Sequence, residues 1–348
     1  MRFLPKLYFR YLFKIYGKNF LLILTSISLL YLLVDIVGHY SHLPNSSNLQ
    51  ILYGYYTFLY GVDFLYPLAL LFGFLLTIYQ LIRRNELVAL YSGGLQQIDL
   101  LKPILAIGAG VTLLFYVLDS TQFTYSIEKA KAILHGGGSW SKDSYFLKWN
   151  GRIISIRKLN PMVGKAEDIN IFYLSPQNRL TKVISAKIAR YQEESNGWVA
   201  PEANITTITP EKMERKVVKN YHFLEAFKPK VVYNLKSVDT ISFTDAYYAL
   251  KYFKNLDVNV ILGIVFFKIF TPLLVLVMII FTFLSAPLQT RTGNLPLFMI
   301  KFALLGVLIW GIELLLFKFT KQGVLPIYLL ALPPLMGGVG VVYKILRS

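Results

Sequence analysis

The sequence predicts an α+β membrane protein, with six transmembrane helices and an extracytoplasmic antiparallel β domain between the third and the fourth. Six apolar runs are long enough to cross a membrane, since about 20 helical residues span roughly 30 Å of hydrocarbon. Short alternating segments separate the first three runs from the last three. Hydrophobic residues make up 55% of the chain and charged residues only 16%, whereas soluble domains carry about 25% charged residues.

The apolar runs divide the chain into three parts. They lie roughly at 20–37, 58–82, 100–118, 260–284, 296–317 and 324–346. We therefore expect an N-terminal membrane half at 1–119, an inserted domain at 120–257 and a C-terminal membrane half at 258–348.

Basic residues predict the orientation. They cluster in short segments that all fall on one side: Arg2, Lys6, Arg10, Lys14, Lys18, Arg83, Arg84, Lys344 and Arg347. On the other side, residues 39–52 hold no lysine or arginine and residues 318–324 hold only Lys318 and Lys321. Because short basic segments stay in the cytoplasm, both termini and residues 83–94 are expected there, and the inserted domain outside. The net charge of +17 then reflects membrane topology, and nucleic acid is not an expected partner.

The inserted domain has the pattern of β structure. Asn150-Gly151 lies between two β-rich runs, which is a strong hairpin signal. Residues 168–175 and 180–192 alternate, and a second Asn-Gly precedes another β-rich run. Short strands at this spacing predict an antiparallel β-sandwich or an open roll. Residues 243–256 return to helical spacing and lead into the fourth span.

No catalytic motif was found. The chain lacks a phosphate-binding G-x-x-x-x-G-K-[ST] loop, the H-E-x-x-H zinc motif and the G-x-S-x-G elbow. It has no cysteine, and its four histidines form no ligand cluster with a carboxylate. We therefore expect no metal or cofactor in this chain, and no ATP hydrolysis by it alone.

Four acidic residues lie near the extracytoplasmic ends of apolar runs: Asp35, Asp63, Asp119 and Glu313. Charge in a membrane span is costly and often functional. Each carboxylate is interpreted either as an interfacial residue in contact with water or lipid headgroups, or as part of a substrate path.

The segment RRNELVALYSGG, at 83–94, carries two arginines and a glutamate, which is unusual for a turn between two spans. Asn85 can cap a short helix whose first turn holds Glu86, a carboxylate that the positive end of the helix dipole favours. Apolar residues form a partial helical stripe: Leu87, Leu90 or Tyr91, Leu95 and Ile98. Gly93-Gly94 end the helix. This short helix either serves only as a cap on the loop or docks into a groove of a partner protein.

Several segments together resemble the LptF/LptG family of lipopolysaccharide-export permeases, closer to the LptG branch. RRNELVALYSGG resembles the family's segment after span two, and FLYPLALLFGFLLTI its second span. LKWNGRIISIRKL resembles the first hairpin of its periplasmic domain. YALKYFKN, FFKIFTPLLVLVMIIFTFLSAPLQTRTG and QGVLPIYLLALPPL resemble the segments around spans four to six. The matches occur in the family's order over nearly the whole chain.

This resemblance implies a permease subunit in the inner membrane of a Gram-negative bacterium. In the family, two homologous permeases form a heterodimer, and a cytoplasmic ABC ATPase dimer, which binds the ATP and Mg²⁺, drives them. The inserted domain is then a periplasmic β-jellyroll. Lipopolysaccharide enters from the outer leaflet between spans one and five of the two permeases, and is passed to a membrane-anchored β-jellyroll bridge protein.

Residues 84–93 become the coupling helix by the same resemblance. Glu86 would face the ATPase groove, with Leu87, Leu90 and Tyr91 as apolar contacts and Arg83 and Arg84 beside them.

The substrate path departs from the family's pattern. Family members tend to place lysine or arginine near the outer end of span one, where this sequence has Asp35, His39 and His42. The expected path also includes Asp63, Glu313, Lys318 and Lys321. The positive charge for lipid phosphates could come from Lys318 and Lys321, from Lys129 and Lys131, or from the partner chain, and an aspartate could act through a bridging cation.

Two other functions remain open from the sequence. A membrane enzyme modifying an envelope lipid could use Asp35, Asp63 and the histidines as an acid–base set, if these groups converge. A non-transporting scaffold could anchor the β domain, although it would not need a glutamate-bearing cytoplasmic helix.

Overall fold

The computed structural model describes residues 4–134, 145–149, 152–160, 164–175, 179–193, 195–208, 212–225, 227, 229, 240–252, 258–288 and 294–347. Nine α-helices are assigned within these ranges: α1 (Leu4–Gly38), α2 (Ser47–Arg83), α3 (Glu86–Ser92), α4 (Gln97–Asp119), α5 (Ser126–Leu134), α6 (Phe243–Tyr252), α7 (Val258–Phe283), α8 (Leu295–Lys321) and α9 (Leu332–Arg347). In the described part of the chain, six helical segments are long and apolar enough to span a membrane: those of α1, α2, α4, α7, α8, and α9 with its preceding 3₁₀ turn. The six predicted spans are confirmed.

The bundle has two distinct ends. Helix α4 ends at Asp119, where the chain passes into the β domain, and α7 begins at Val258, where it returns. The short helix α3 joins α2 to α4 at the opposite end. We call these ends the β-domain side and the α3 side.

Helices α1 and α2 pack closely along their length. A Cβ added at Gly73 would lie 2.8 Å from the Cα of Phe20, so the two backbones meet there. The side-chain amide of Asn19 donates to Thr77 Oγ1 at 2.9 Å and to Gln80 Oε1 at 3.1 Å. Tyr16 is buried and donates to the carbonyl of Leu70 at 3.0 Å. The helix begins at Leu4, well before the apolar run that predicted it.

The described part of the inserted domain forms one antiparallel sheet of six strands: β1 (Tyr145–Trp149), β2 (Arg152–Asn160), β3 (Lys165–Leu174), β4 (Leu180–Gln192), β5 (Gly197–Ile208) and β6 (Met213–Phe223). The strands follow one another in sequence order. This is a meander, which fits an open roll better than the interleaved Greek keys of a jellyroll. The β1–β2 hairpin is confirmed, while its turn residues Asn150 and Gly151 lie outside the described residues.

One face of the sheet forms the domain core. Ile154, Ile171 and Ile184 lie opposite one another on three successive strands and are buried. Trp198 is fully buried, and its indole N–H donates to the carbonyl of Phe227 at 2.6 Å. The same cluster includes Ile261 of α7, so the core of the β domain continues onto the end of the bundle.

The segments that enter and leave the β domain are bound together. Tyr125 donates to Asp245 Oδ2 at 2.5 Å and accepts from the backbone N–H of Ser242 at 3.2 Å. Burial, and then the nearby Asp245 carboxylate, raises the pKa of Tyr125. Thr244 also donates to the carbonyl of Ser120 at 3.1 Å. These bonds fix the base of the β domain on its side of the bundle.

Candidate functional site

The predicted helix after span two exists as α3, and its start differs from the expectation. Asn85 occupies the position before the helix with φ +56°, and its side chain makes no capping hydrogen bond. The prediction of an asparagine side-chain cap is therefore wrong. Asparagine suits this position because it tolerates the left-handed backbone conformation. Gly93 ends the helix and Gly94 has φ +85°, so the predicted glycine stop is confirmed.

The Glu86 carboxylate is attached to the first span. The Tyr11 hydroxyl of α1 donates to Glu86 Oε2 at 2.5 Å. Arg84 Nη1 lies 3.8 Å from Glu86 Oε1. The Glu86 side chain is 28% exposed, and Arg83 and Arg84 are exposed. The α3 side thus presents two arginines around a glutamate that remains partly accessible.

The apolar stripe of α3 faces the protein's own bundle. Leu87 is only 2% exposed and belongs to the core that α1, α2 and α4 form. Leu90 and Tyr91 are half-buried against the same core, and burial raises the pKa of Tyr91. Leu87 therefore holds α3 on the bundle, which differs from its expected role as a contact with an ATPase.

Asp35 and His39 form a small polar group at the β-domain ends of α1 and α2. Tyr53 of α2 donates to Asp35 Oδ2, and His39 Nδ1 lies 3.5 Å from Asp35 Oδ1. His42 is exposed and contacts the neighbouring Ser41 hydroxyl at 3.1 Å. His39 is exposed, whereas Asp35 is only 14% exposed and Tyr53 is buried.

Asp119 is buried and has a partner that the sequence reasoning missed. The Lys268 ammonium of α7 donates to Asp119 Oδ1 and contacts Thr124 Oγ1. Thr124 also donates to the same carboxylate oxygen at 3.0 Å. The side chains of Asp119 and Lys268 are 3% and 12% exposed, so the interpretation of Asp119 as a residue in contact with water or lipid headgroups is wrong. A single lysine within the fourth apolar run was the sequence signal, because such a charge requires a partner.

Asp63 shares a cavity with this pair. The cavity, of about 90 Å³, lies between α2, α4 and α7 and is lined by Asp63, Asp119 and Lys268 among others. Asp63 and Asp35 therefore belong to separate groups. The acid–base set proposed for an enzyme, Asp35 and Asp63 with the histidines, does not converge in the described structure.

The charged residues of α8 divide between interior and surface. Glu313 is 0% exposed, and neither carboxylate oxygen has a hydrogen-bond partner among the described residues. It therefore does not reach water or headgroups in this chain. Lys318 is exposed and Lys321 is half-buried at the end of the helix. In α5, Lys129 lies over the ring of Tyr56 at 5.3 Å, and Lys131 is exposed.

Comparison with known proteins agrees with this architecture. The family described as lipopolysaccharide export system permease LptF/LptG matches residues 10–347. A curated relative, the lipopolysaccharide export system permease protein LptG of Haemophilus influenzae, is 24% identical over 179 residues. That alignment covers 48% of this chain and 47% of the relative, so the chain spans about half the length of the curated relative it matches. Since the family match extends over both membrane halves and the inserted sheet, the chain belongs to the LptF/LptG family of lipopolysaccharide export permeases.

Proposed function

We propose that this chain is the permease subunit of an ABC transporter that extracts lipopolysaccharide from the outer leaflet of the inner membrane. It passes the lipid through its periplasmic β domain to a bridge protein, and a separate cytoplasmic ATPase dimer supplies the energy. The observation that carries this proposal is α3. A short helix with Glu86, Arg83 and Arg84 at its solvent-facing start lies at the end of the bundle away from the β domain.

The charges on α3 suit a docking surface. Arg83 also lies over the Tyr79 ring at 5.8 Å, and its guanidinium donates to the Tyr79 hydroxyl at 3.2 Å. Arg84 is 65% exposed beside Glu86, so its guanidinium can also reach a carboxylate on another protein. Helix α3 packs on α1, α2 and α4 through Leu87 and its neighbours. A movement of α3 by a bound ATPase would therefore act directly on the bundle.

The apolar surface supports pairing with a second, homologous permease. Helices α1 and α8 each expose long apolar side chains along one face: Leu22, Leu29, Leu30, Leu33 and Val37 on α1, and Leu304, Leu308, Ile312, Leu315 and Phe319 on α8. In the membrane these faces contact lipid or another helix. If lipopolysaccharide passes between α1 of one permease and α8 of the other, its acyl chains contact the apolar faces of both helices.

A cation at the β-domain side suits the lipid phosphates of the proposed substrate. Lys318 is exposed beside Phe319 at the end of α8, so one residue can attract phosphate while the next contacts lipid. The group of Asp35 and His39, at the end of α1, would lie across the path from a partner's α8.

Affinity purification of the chain from membranes tests the proposal. We expect an ATPase in stoichiometric amount together with a second six-span protein. Glu86→Ala and Glu86→Arg should lose the ATPase while the chain still folds. Asp99→Ala is the matched control, since Asp99 is an acidic residue in the first turn of α4 on the same side. A chain that purifies alone, or an ATPase that stays bound to both Glu86 variants, would refute the proposal.

A further inference from the structure

The cavity shared by Asp63, Asp119 and Lys268 has an unbalanced charge. Two carboxylates and one ammonium line it, which leaves one excess negative charge if all are ionised. The Lys268 ammonium is committed to Asp119 and Thr124. Asp63 makes no hydrogen bond or ion pair with any described residue. An uncompensated charge is costly inside a membrane protein, so the site favours one additional positive charge.

Two prolines within helices line the same cavity, and each leaves a main-chain oxygen without its helical donor. Pro67 of α2 and Pro272 of α7 both line it and both lie inside their helices. A proline within a helix has no N–H to donate to the carbonyl four residues earlier. Those carbonyls belong to Asp63 and Lys268, the charged residues of the cavity. Each helix therefore lacks its normal donor at the residue whose side chain enters the site.

Thr271 supplies an independent sign of a missing ligand. It lines the cavity on the face of α7 that carries Lys268. It is 3% exposed, and its hydroxyl has no hydrogen-bond partner among the described residues. A threonine in a helix usually donates to a carbonyl one turn earlier, as Thr112 does to Gly108 at 2.8 Å. The Thr271 hydroxyl is thus an unused oxygen within a charged cavity.

We propose that this cavity binds one monovalent cation, Na⁺ or K⁺. Its ligands are the carboxylate oxygens of Asp63 and Asp119, the Thr271 hydroxyl, and the carbonyls released by Pro67 and Pro272. Helix carbonyls that lack their usual N–H donor, next to a charged cavity, are suitable ligands for such ions. A cavity of about 90 Å³ holds an ion with some of its water.

The charge of the site favours a monovalent ion over a divalent one. Calcium takes six to eight oxygen ligands and commonly several carboxylates. Within the described residues, no group of three or more histidine, cysteine or acidic side chains could hold a metal. One divalent ion beside the Lys268 ammonium would reverse the excess charge, whereas a monovalent ion neutralises it. The ion would join α2, α4 and α7 at the base of the β domain, and its binding does not depend on the proposed transport function.

Thermal unfolding of the full chain in detergent micelles tests the site. Unfolding is followed in NaCl, in KCl and in N-methyl-D-glucamine chloride, at constant ionic strength and pH. We expect Na⁺ or K⁺ to raise the Tm in a saturable manner, by about 4 °C at a hundred-fold excess over the Kd. The bulky organic cation should have no effect, because it does not fit the cavity. Comparing Na⁺ with K⁺ identifies the preferred ion.

Variants assign the effect to this cavity. Asp63→Asn should abolish the difference between the salts, and Thr271→Val should raise the half-saturating concentration about ten-fold. Asp35→Asn is the matched control, because this carboxylate lies outside the cavity, and it should keep the full effect. If Asp63→Asn does not fold, Thr271→Val decides the test. Equal Tm values in all three salts would overturn the proposal. This holds even if the Tm depends on pH and Asp63→Asn removes that dependence, because a proton would then balance the charge. An unchanged salt effect in Asp63→Asn and Thr271→Val would also overturn it.

Discussion

Tyr11 of α1 donates a hydrogen bond of 2.5 Å to the carboxylate of Glu86, the first residue of α3. The two residues lie 75 positions apart in sequence. Through this bond the first membrane span is attached to the helix proposed to receive the ATPase. Helix α1 is attached in turn to α2 by Asn19, which donates to Thr77 and Gln80. A displacement of α3 would therefore act on α1 as well as on its sequence neighbours α2 and α4.

Tyr11→Phe should loosen α3 without unfolding the bundle. Hydrogen bonds to charged groups are worth about 1.5–3 kcal/mol, and partial exposure of Glu86 reduces this to about 1 kcal/mol. We expect amide hydrogen exchange in residues 86–92 to accelerate about five-fold, measured on the full chain. Tyr8→Phe is the control, because Tyr8 is on the same helix and packs on the core. Equal protection of α3 in both variants would show that the Tyr11–Glu86 bond does not hold the helix.

The backbone conformation of Asn85 gives a second prediction. With φ at +56° and no side-chain capping bond, this position should favour glycine over serine. Serine is a better helix cap but a poorer left-handed residue. We expect Asn85→Gly to preserve the exchange protection of α3, and Asn85→Ser to lower its local stability by about 1 kcal/mol. The reverse order, with serine tolerated and glycine disruptive, would restore the capping interpretation.

Local patterns predicted much of the architecture, and pairings over long sequence distances were not predictable. Six spans and the β1–β2 hairpin followed from hydropathy, alternation and an Asn-Gly pair. The apolar run placed the start of α1 too late, because basic residues occupy the first turns of this helix. Strand β6 was missed because its residues are mostly exposed, as an edge strand allows.

The partners of the charged residues were also not predictable from the sequence. The sequence identified Asp63 and Asp119 because charge near apolar runs is unusual, and Glu86 because it begins a predicted helix between two spans. Their partners could not be read from spacing. Lys268 is 149 positions from Asp119, and only the packing of α4 against α7 brings them together.

The contact between α1 and α2 predicts a strong effect at a single glycine. A methyl group at Gly73 would lie 2.8 Å from the Cα and 2.9 Å from the backbone nitrogen of Phe20. Because both contacts are backbone, the helices must separate, and we expect Gly73→Ala to destabilise the chain by about 1–3 kcal/mol. Gly110→Ala is the control, since no atom lies within 4 Å of its added Cβ, and it should stabilise α4 by about 0.5–1 kcal/mol. Thermal unfolding in detergent compares the two, and a harmless Gly73→Ala would contradict the close packing.

The Asp119–Lys268 pair should be strongly coupled because both side chains are buried. Lys268→Met leaves Asp119 without its cation and should destabilise the chain by about 3–5 kcal/mol. Adding Asp119→Asn removes the stranded charge, so the double variant should recover most of that loss. Lys102→Met is the matched control. Lys102 pairs with Asp99 at 2.7 Å, but its side chain is 60% exposed, and breaking an exposed pair should leave the midpoint of denaturant unfolding unchanged. The coupling free energy from the double-mutant cycle measures the pair itself. If the effects of Lys268→Met and Asp119→Asn simply add, the two residues do not form a buried ion pair in the folded protein.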